Sequence, residues 1–219
     1  MTSILFHTTR DGEPQKMRVL WEQFRRLSLE VHGILSDVPL HDVTAVDLPG
    51  GGAGRTIADV RALMTRENVR AANPIVRGLF ALRTLLGRLC GWDAERHTHP
   101  ETSSLHRLSS DITRRSALPP GTLDGPFRIL YVLERESLAE VRNATVHAFL
   151  ASVLTETPCG YRLYWAVYVQ PVSRLTPLYM ALIEPFRRYM VYPAILRRIR
   201  RAWEERYTRP LGPRASGTV

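Results

Sequence analysis

Lysine is almost missing from this chain: Lys16 is the only one in 219 residues, so arginine carries nearly all of a formal charge of +9. An excess of that kind suits nucleic acid, an anionic membrane surface or acidic ligands, and it also follows from GC-rich coding. No recognised nucleic-acid motif accompanies it, so no specific nucleic-acid partner is expected. Cysteine is scarce as well. Cys90 and Cys159 alone build neither a zinc site nor a disulfide framework. No stretch approaches the ~18 apolar residues of a membrane span, and the opening MTSILFHTTRDGEPQ lacks a charged region ahead of a long apolar core. A soluble, cytoplasmic protein is expected.

Reaction motifs are missing too. There is no Gly-x-Ser-x-Gly elbow and no cysteine signature suited to a nucleophile. The stretch PGGGAGRT, Pro49 to Thr56, follows a strand and opens a helix, the setting in which exposed N–H groups hold phosphate, but it lacks both GxGxxG and Gly-Lys-Thr. It reads as a flexible connection. His97, His99 and His106 share one polar loop without the helical spacing or carboxylates that fix metal geometry, so they read as solvated, and neither metal nor cofactor is expected.

What the chain does contain is enough apolar sequence for a core, at 44% hydrophobic and 23% charged residues, and its length fits one domain. The longest helical pattern is the last, Leu175 to Tyr207. There Leu178, Leu182, Phe186, Tyr189, Leu196, Ile199 and Trp203 recur at three- and four-residue steps, with arginines between them. Pro185 and Pro193 predict kinks or breaks near both positions. Lys16 to Ser36 reads as a first amphipathic helix. Val43 to Leu48 reads as a strand, Thr56 to Met64 as a short helix, and Asn73 to Gly91 as a helix capped at both ends. From Asp93 to Gly125 the chain reads as a long polar surface excursion with a hint of helix at Leu105, Leu108 and Ile112. Phe127 to Leu133, Thr145 to Leu154 and Tyr161 to Val169 then read as adjacent antiparallel strands, the last two joined by a turn at TPCGY.

Four stretches, NPIVRGLFALRTLLGRLCGWD (Asn73 to Asp93), DGPFRILYVL (Asp124 to Leu133), NATVHAFL (Asn143 to Leu150) and YWAVYVQPVSRLTPLYMALIEPFRRYMVYPAIL (Tyr164 to Leu196), resemble an uncharacterised bacterial domain-of-unknown-function family. That family is in turn similar to the START-like helix-grip superfamily, which includes polyketide cyclases and pollen allergens. The resemblance implies an α+β fold in which an antiparallel sheet wraps round a long, kinked C-terminal helix with an apolar cavity between them. It divides the chain into an N-terminal helical extension (1–36), the helix-grip domain (37–207) and a flexible tail (208–219). Binding of a hydrophobic small molecule in that cavity is the expected function. The alternatives are a cyclase- or hydrolase-type enzyme using the same cavity, or a peripheral membrane or interaction protein that uses the basic face of the C-terminal helix.

The candidate site follows from strand alternation, which places Asn143, Thr145 and His147 on one face. His147 is the candidate acid–base group, and Asn143 and Thr145 would orient a ligand. Phe149 and Val153 favour that odd-numbered face as the buried one, whereas Val146, Ala148, Leu150 and Leu154 favour the even-numbered face. Tyr164 and Tyr168 share a face of the next strand and, with Tyr179 and Phe186 of the terminal helix, complete the ligand-binding candidates. Arg197, Arg198, Arg200 and Arg201 are the candidates for an anionic surface, with Glu204 and Glu205 interrupting their charge.

Overall fold

The computed structural model describes residues 20–66, 103–142, 146–172 and 176–208, without the side chains of residues 65, 66, 177–179, 182 and 186. Among these residues six strands form one open antiparallel sheet: β1 (Leu40–Pro49), β2 (Leu123–Asp124), β3 (Phe127–Val132), β4 (Glu136–Arg142), β5 (Val146–Thr157) and β6 (Gly160–Pro171), in the order β1-β6-β5-β4-β3-β2. The helices are α1 (Glu30–Ile34), α2 (Ile57–Arg66), α3 (Ser110–Arg115), α4 (Thr176–Phe186) and α5 (Tyr192–Tyr207), with a π-helical turn at Arg187–Val191 joining the last two. The expected helix from Asn73 to Gly91 lies outside the described residues.

The β5–β6 hairpin turns where TPCGY predicts it, with Thr157 paired to Gly160. A side chain at position 160 would meet the Leu48 carbonyl at 2.4 Å, so only glycine lets β1 pass this close. Strand β4 corrects one expectation. It lies between β3 and β5, so the Phe127 strand pairs with Glu136–Arg142 and not with the Thr145 segment.

Both faces of the sheet are covered, which accounts for the nearly continuous burial along β6. One face carries Leu154, Leu163, Trp165, Val167 and Val169 and receives α2 and the C-terminal helix through Ile57, Val60, Tyr192, Ile195, Ile199 and Trp203. The other carries Phe149, Ala151, Val153, Tyr164, Ala166 and Tyr168 beneath Phe24, Val31, Leu35 and Ile112. The first helical segment therefore packs on the sheet. It is not one helix: residues 20–25 are helical, the chain breaks, and α1 restarts after Leu29, which is extended at φ −130 and ψ 143. The break lets Phe24 and Val31 reach the same core cluster. From Ser103 onward the polar excursion is likewise packed on this face, through buried Ser103, Ser104 and Ile112.

The expected irregularity near the prolines of the C-terminal helix takes the form of a π turn between them, and the two prolines sit differently. Pro185 sits inside α4, just before the π turn, whereas Pro193 lies in the first turn of α5, where a missing N–H leaves no hydrogen bond unmade. Among the described residues no helix is long and apolar enough to cross a membrane.

Candidate functional site

Two one-residue irregularities face each other across the sheet–helix interface. In β1 the register slips between Leu40, opposite Tyr168, and Asp42, opposite Val167. That extra residue turns the Asp42 side chain, which regular alternation would place on the face of Leu40, toward the C-terminal helix. Across from it the π turn inserts an extra residue into the helix and brings Arg187 to Asp42, with Nη2 3.8 Å from Oδ2. The Arg187 guanidinium also lies over the Tyr192 ring at 5.4 Å, and Trp165 meets the same ring edge-on at 6.4 Å.

Around this ring several buried polar atoms make no hydrogen bond among the described residues: Nε and Nη2 of Arg187, Nε1 of Trp165 and Nε2 of His41. Trp165 is 5% exposed and Asp42 6%, so water does not simply take the missing partners' place at an open surface. Burial raises the Asp42 carboxyl above its usual range despite the nearby positive charge of Arg187. Burial and the same guanidinium lower the His41 imidazole, and burial raises the Tyr192 phenol. The locus is a desolvated one in which three N–H groups, two on the Arg187 guanidinium and one on Trp165, make no hydrogen bond among the described residues.

The opposite face holds a second polar set. His147 is buried, and its Nε2–H donates to Glu140 Oε2 at 2.9 Å. Ser103 Oγ donates to the other oxygen of Glu140, and the Ser104 N–H donates to Oε2 at 3.1 Å. Four residues along β4, Glu136 accepts the Glu30 N–H at 2.8 Å and so caps α1. Burial pushes the Glu136 carboxyl from 4.5 up to about 7, against the Glu30 N–H that favours its charge. A group raised in the folded state stabilises below its unfolded value and loses that contribution as pH rises through its folded one. Between pH 4.5 and about 7 the wild type should therefore lose on the order of 3 kcal/mol of stability that the Glu136→Gln variant keeps, as urea titrations at pH 5 and pH 8 would measure. Parallel pH profiles for the two proteins would show that Glu136 is not held in this way.

The candidates named from sequence divide accordingly. Tyr164, Tyr168 and His147 do share one face of the sheet, but it is the face away from the C-terminal helix, so they line no space between sheet and helix. Asn143 and Thr145, and the side chains of Tyr179 and Phe186, lie outside the description. Tyr168 does line a cleft of about 370 Å³ with Arg25, His32 and Asp37, under the N-terminal segment. Its polar walls are already engaged: Asp37 pairs with Arg107, and His32 with the Phe24 carbonyl and the Tyr168 hydroxyl. Arg197, Arg200 and Arg201 lie exposed on α5 and Arg198 is half-buried, with Arg200 bonded to Glu204 at 2.8 Å. Sequence reading did not single out Asp42, Arg187 or Trp165 as site candidates. The available signals were a lone aspartate inside the apolar run VPLHDVTAV and an arginine just after a helical proline.

The fold and site define an α+β protein with an open six-stranded antiparallel sheet, a C-terminal helix interrupted by a π turn, and a buried cationic locus between them. Residues 34–194 match the family described as proteins of unknown function, DUF2867, and the chain belongs to that family. Neither the curated proteins nor the solved structures contain a match to it.

Proposed function

We propose that the protein binds a small, largely hydrophobic molecule between the sheet and the π turn of the C-terminal helix, as a START-like helix-grip domain does. The observation that carries this reading is the set of buried, unpartnered N–H groups on Arg187 and Trp165 at the point where a β-bulge and a π turn oppose each other. A packed core closes such defects, because a buried donor left unpaired costs about 1–3 kcal/mol. β-Bulges and π turns also occur often beside functional sites, the bulges because they re-aim side chains. The walls suit an apolar body: Val167 and Val169 from β6, and Met180 and Ile183 from α4, belong to the same cluster as Trp165 and Tyr192.

This reading moves the site away from His147, and with it the enzymatic alternative loses its proposed acid–base group at this locus. The anionic-surface alternative draws on exposed Tyr189 and Met190 at the π turn, 59% and 38% accessible, beside the α5 arginines. It is the weaker of the two, since Glu204 and Glu205 dilute the charge of that face. Native mass spectrometry of protein purified from its own host should find a co-purified species of small-molecule mass, and stripping it should lower the melting temperature. No retained molecule, together with an Arg187→Met variant more stable than the wild type, would reduce the locus to an unfavourable buried charge.

A further inference from the structure

Resting on that reading of a bound small molecule, we propose that the group it presents to Arg187 is a single carboxylate. The two unpartnered nitrogens of Arg187 are Nε and Nη2, which lie on one edge of the guanidinium. That edge offers two parallel N–H bonds, the geometry that accepts both oxygens of a carboxylate at once. The Trp165 Nε1–H is a donor only, so the third unpartnered group also asks for an acceptor. A hydroxyl, with two lone pairs, would leave at least one of these three donor groups unmet, and a neutral amine would leave two.

Asp42 does not fill the role. At 3.8 Å its oxygen is beyond hydrogen-bond distance of Nη2, and burial disfavours its charged form. The other ionisable groups facing the locus are Glu184 on α4, Arg188 on the π turn and His41 on β1, whose charges oppose one another. One desolvated guanidinium balances one negative charge. A phosphate monoester, carrying nearly two, would leave charge uncompensated among Trp165, Tyr192 and Val167. A protonated Asp42 would in turn donate to the ligand's carboxylate, which makes the aspartate a proton-dependent neighbour and not a competitor at low pH.

The test uses the full chain and three probes with the same apolar tail: decanoate, decanol and decyl phosphate, titrated calorimetrically below their aggregation limits. Decanoate should bind at least ten-fold more tightly than either of the others. Arg187→Met should remove that preference while leaving decanol binding unchanged, and Arg187→Lys should restore it only in part, because an ammonium lacks the two-pronged edge. Asp42→Asn should tighten decanoate several-fold above pH 7 by deleting the nearby negative charge. Equal affinity for acid and alcohol, untouched by Arg187→Met, overturns the carboxylate while leaving a binding site. Tighter binding of decyl phosphate overturns it as well. If none of the three binds, the site itself falls and the carboxylate with it. If Asp42→Asn weakens decanoate or strongly destabilises the fold, Asp42 is the guanidinium's own partner and the proposal is wrong.

Discussion

Replacing Trp203 with alanine should cost about 3–5 kcal/mol, the range for deleting a large aromatic from a close-packed site. Trp203 is fully buried near the end of α5 and joins three parts of the chain. Its Nε1–H donates to the Pro49 carbonyl at 3.0 Å, and its ring meets Tyr161 of β6 at 5.6 Å and Tyr207 of α5 at 4.7 Å. The loop after β1 closes on the other side. A side chain at Gly51, where φ is +97, would lie 2.6 Å from Trp203 Cζ2, so the glycine is required by both conformation and space. Tyr161 donates to the Gly52 carbonyl at 2.8 Å and Arg55 Nε to the Gly51 carbonyl at 2.7 Å, which makes this loop a clasp and not the flexible connection expected from its composition. Urea denaturation would read the loss directly. Trp203→Phe should retain the ring contacts and lose mainly the hydrogen bond, at about 1 kcal/mol. A loss below about 1 kcal/mol for Trp203→Ala would detach the end of the helix from the core.

The elements legible in the sequence are those whose apolar pattern agrees with their burial. The terminal helix, β3, β5 and β6 carry such patterns, and the two prolines flank the π turn between α4 and α5. Strand β4 was hidden because ESLAEVR points Glu136 and Glu140 into the core, so its alternation reads as charged-out when it is charged-in. The first helix was overextended because Leu27 and Ile34 continue the helical period across a break that is fixed from outside, by the Glu136 cap on Glu30.

The site was less legible for a different reason. Strand alternation correctly groups Tyr164 with Tyr168 and His147 with Phe149, but it does not say which covering layer a face meets. That choice belongs to tertiary packing, and both layers here are apolar helices. Asp42 and Arg187 meet only because each of their elements contains one extra residue. Periodicity averages over such insertions, so the pair that the fold brings together is the one that periodic reading discards.

Removing the Glu140 carboxylate should be nearly as damaging as removing Trp203, at about 3–5 kcal/mol for Glu140→Ala, because it strands a buried imidazole, a hydroxyl and a backbone N–H together. Burial alone would raise this carboxyl, but the hydrogen bonds from His147, Ser103 and Ser104 outweigh it and hold the group below its usual 4.5. A depressed carboxyl stabilises above its unfolded value and loses that contribution as pH falls through its folded one, so the wild-type advantage over Glu140→Ala should shrink only below pH 4.5. Its neighbour Glu136 behaves in the opposite sense on the same strand face, which lets the two be separated by pH in one series of urea titrations. Amide exchange should show where the loss is felt: the Ser103–Ile112 segment, tied to the sheet through Glu140, should open before β5 and β6 do. His147→Gln should also lower the melting temperature, since the imidazole is a strut of this network. Replacing Glu140 with leucine and His147 with phenylalanine together should recover part of the loss, because an apolar pair leaves fewer stranded groups than a broken polar one. A Glu140→Ala variant as stable as the wild type, or one whose exchange is unchanged at 103–112, would mean that the network is filled by water and latches nothing.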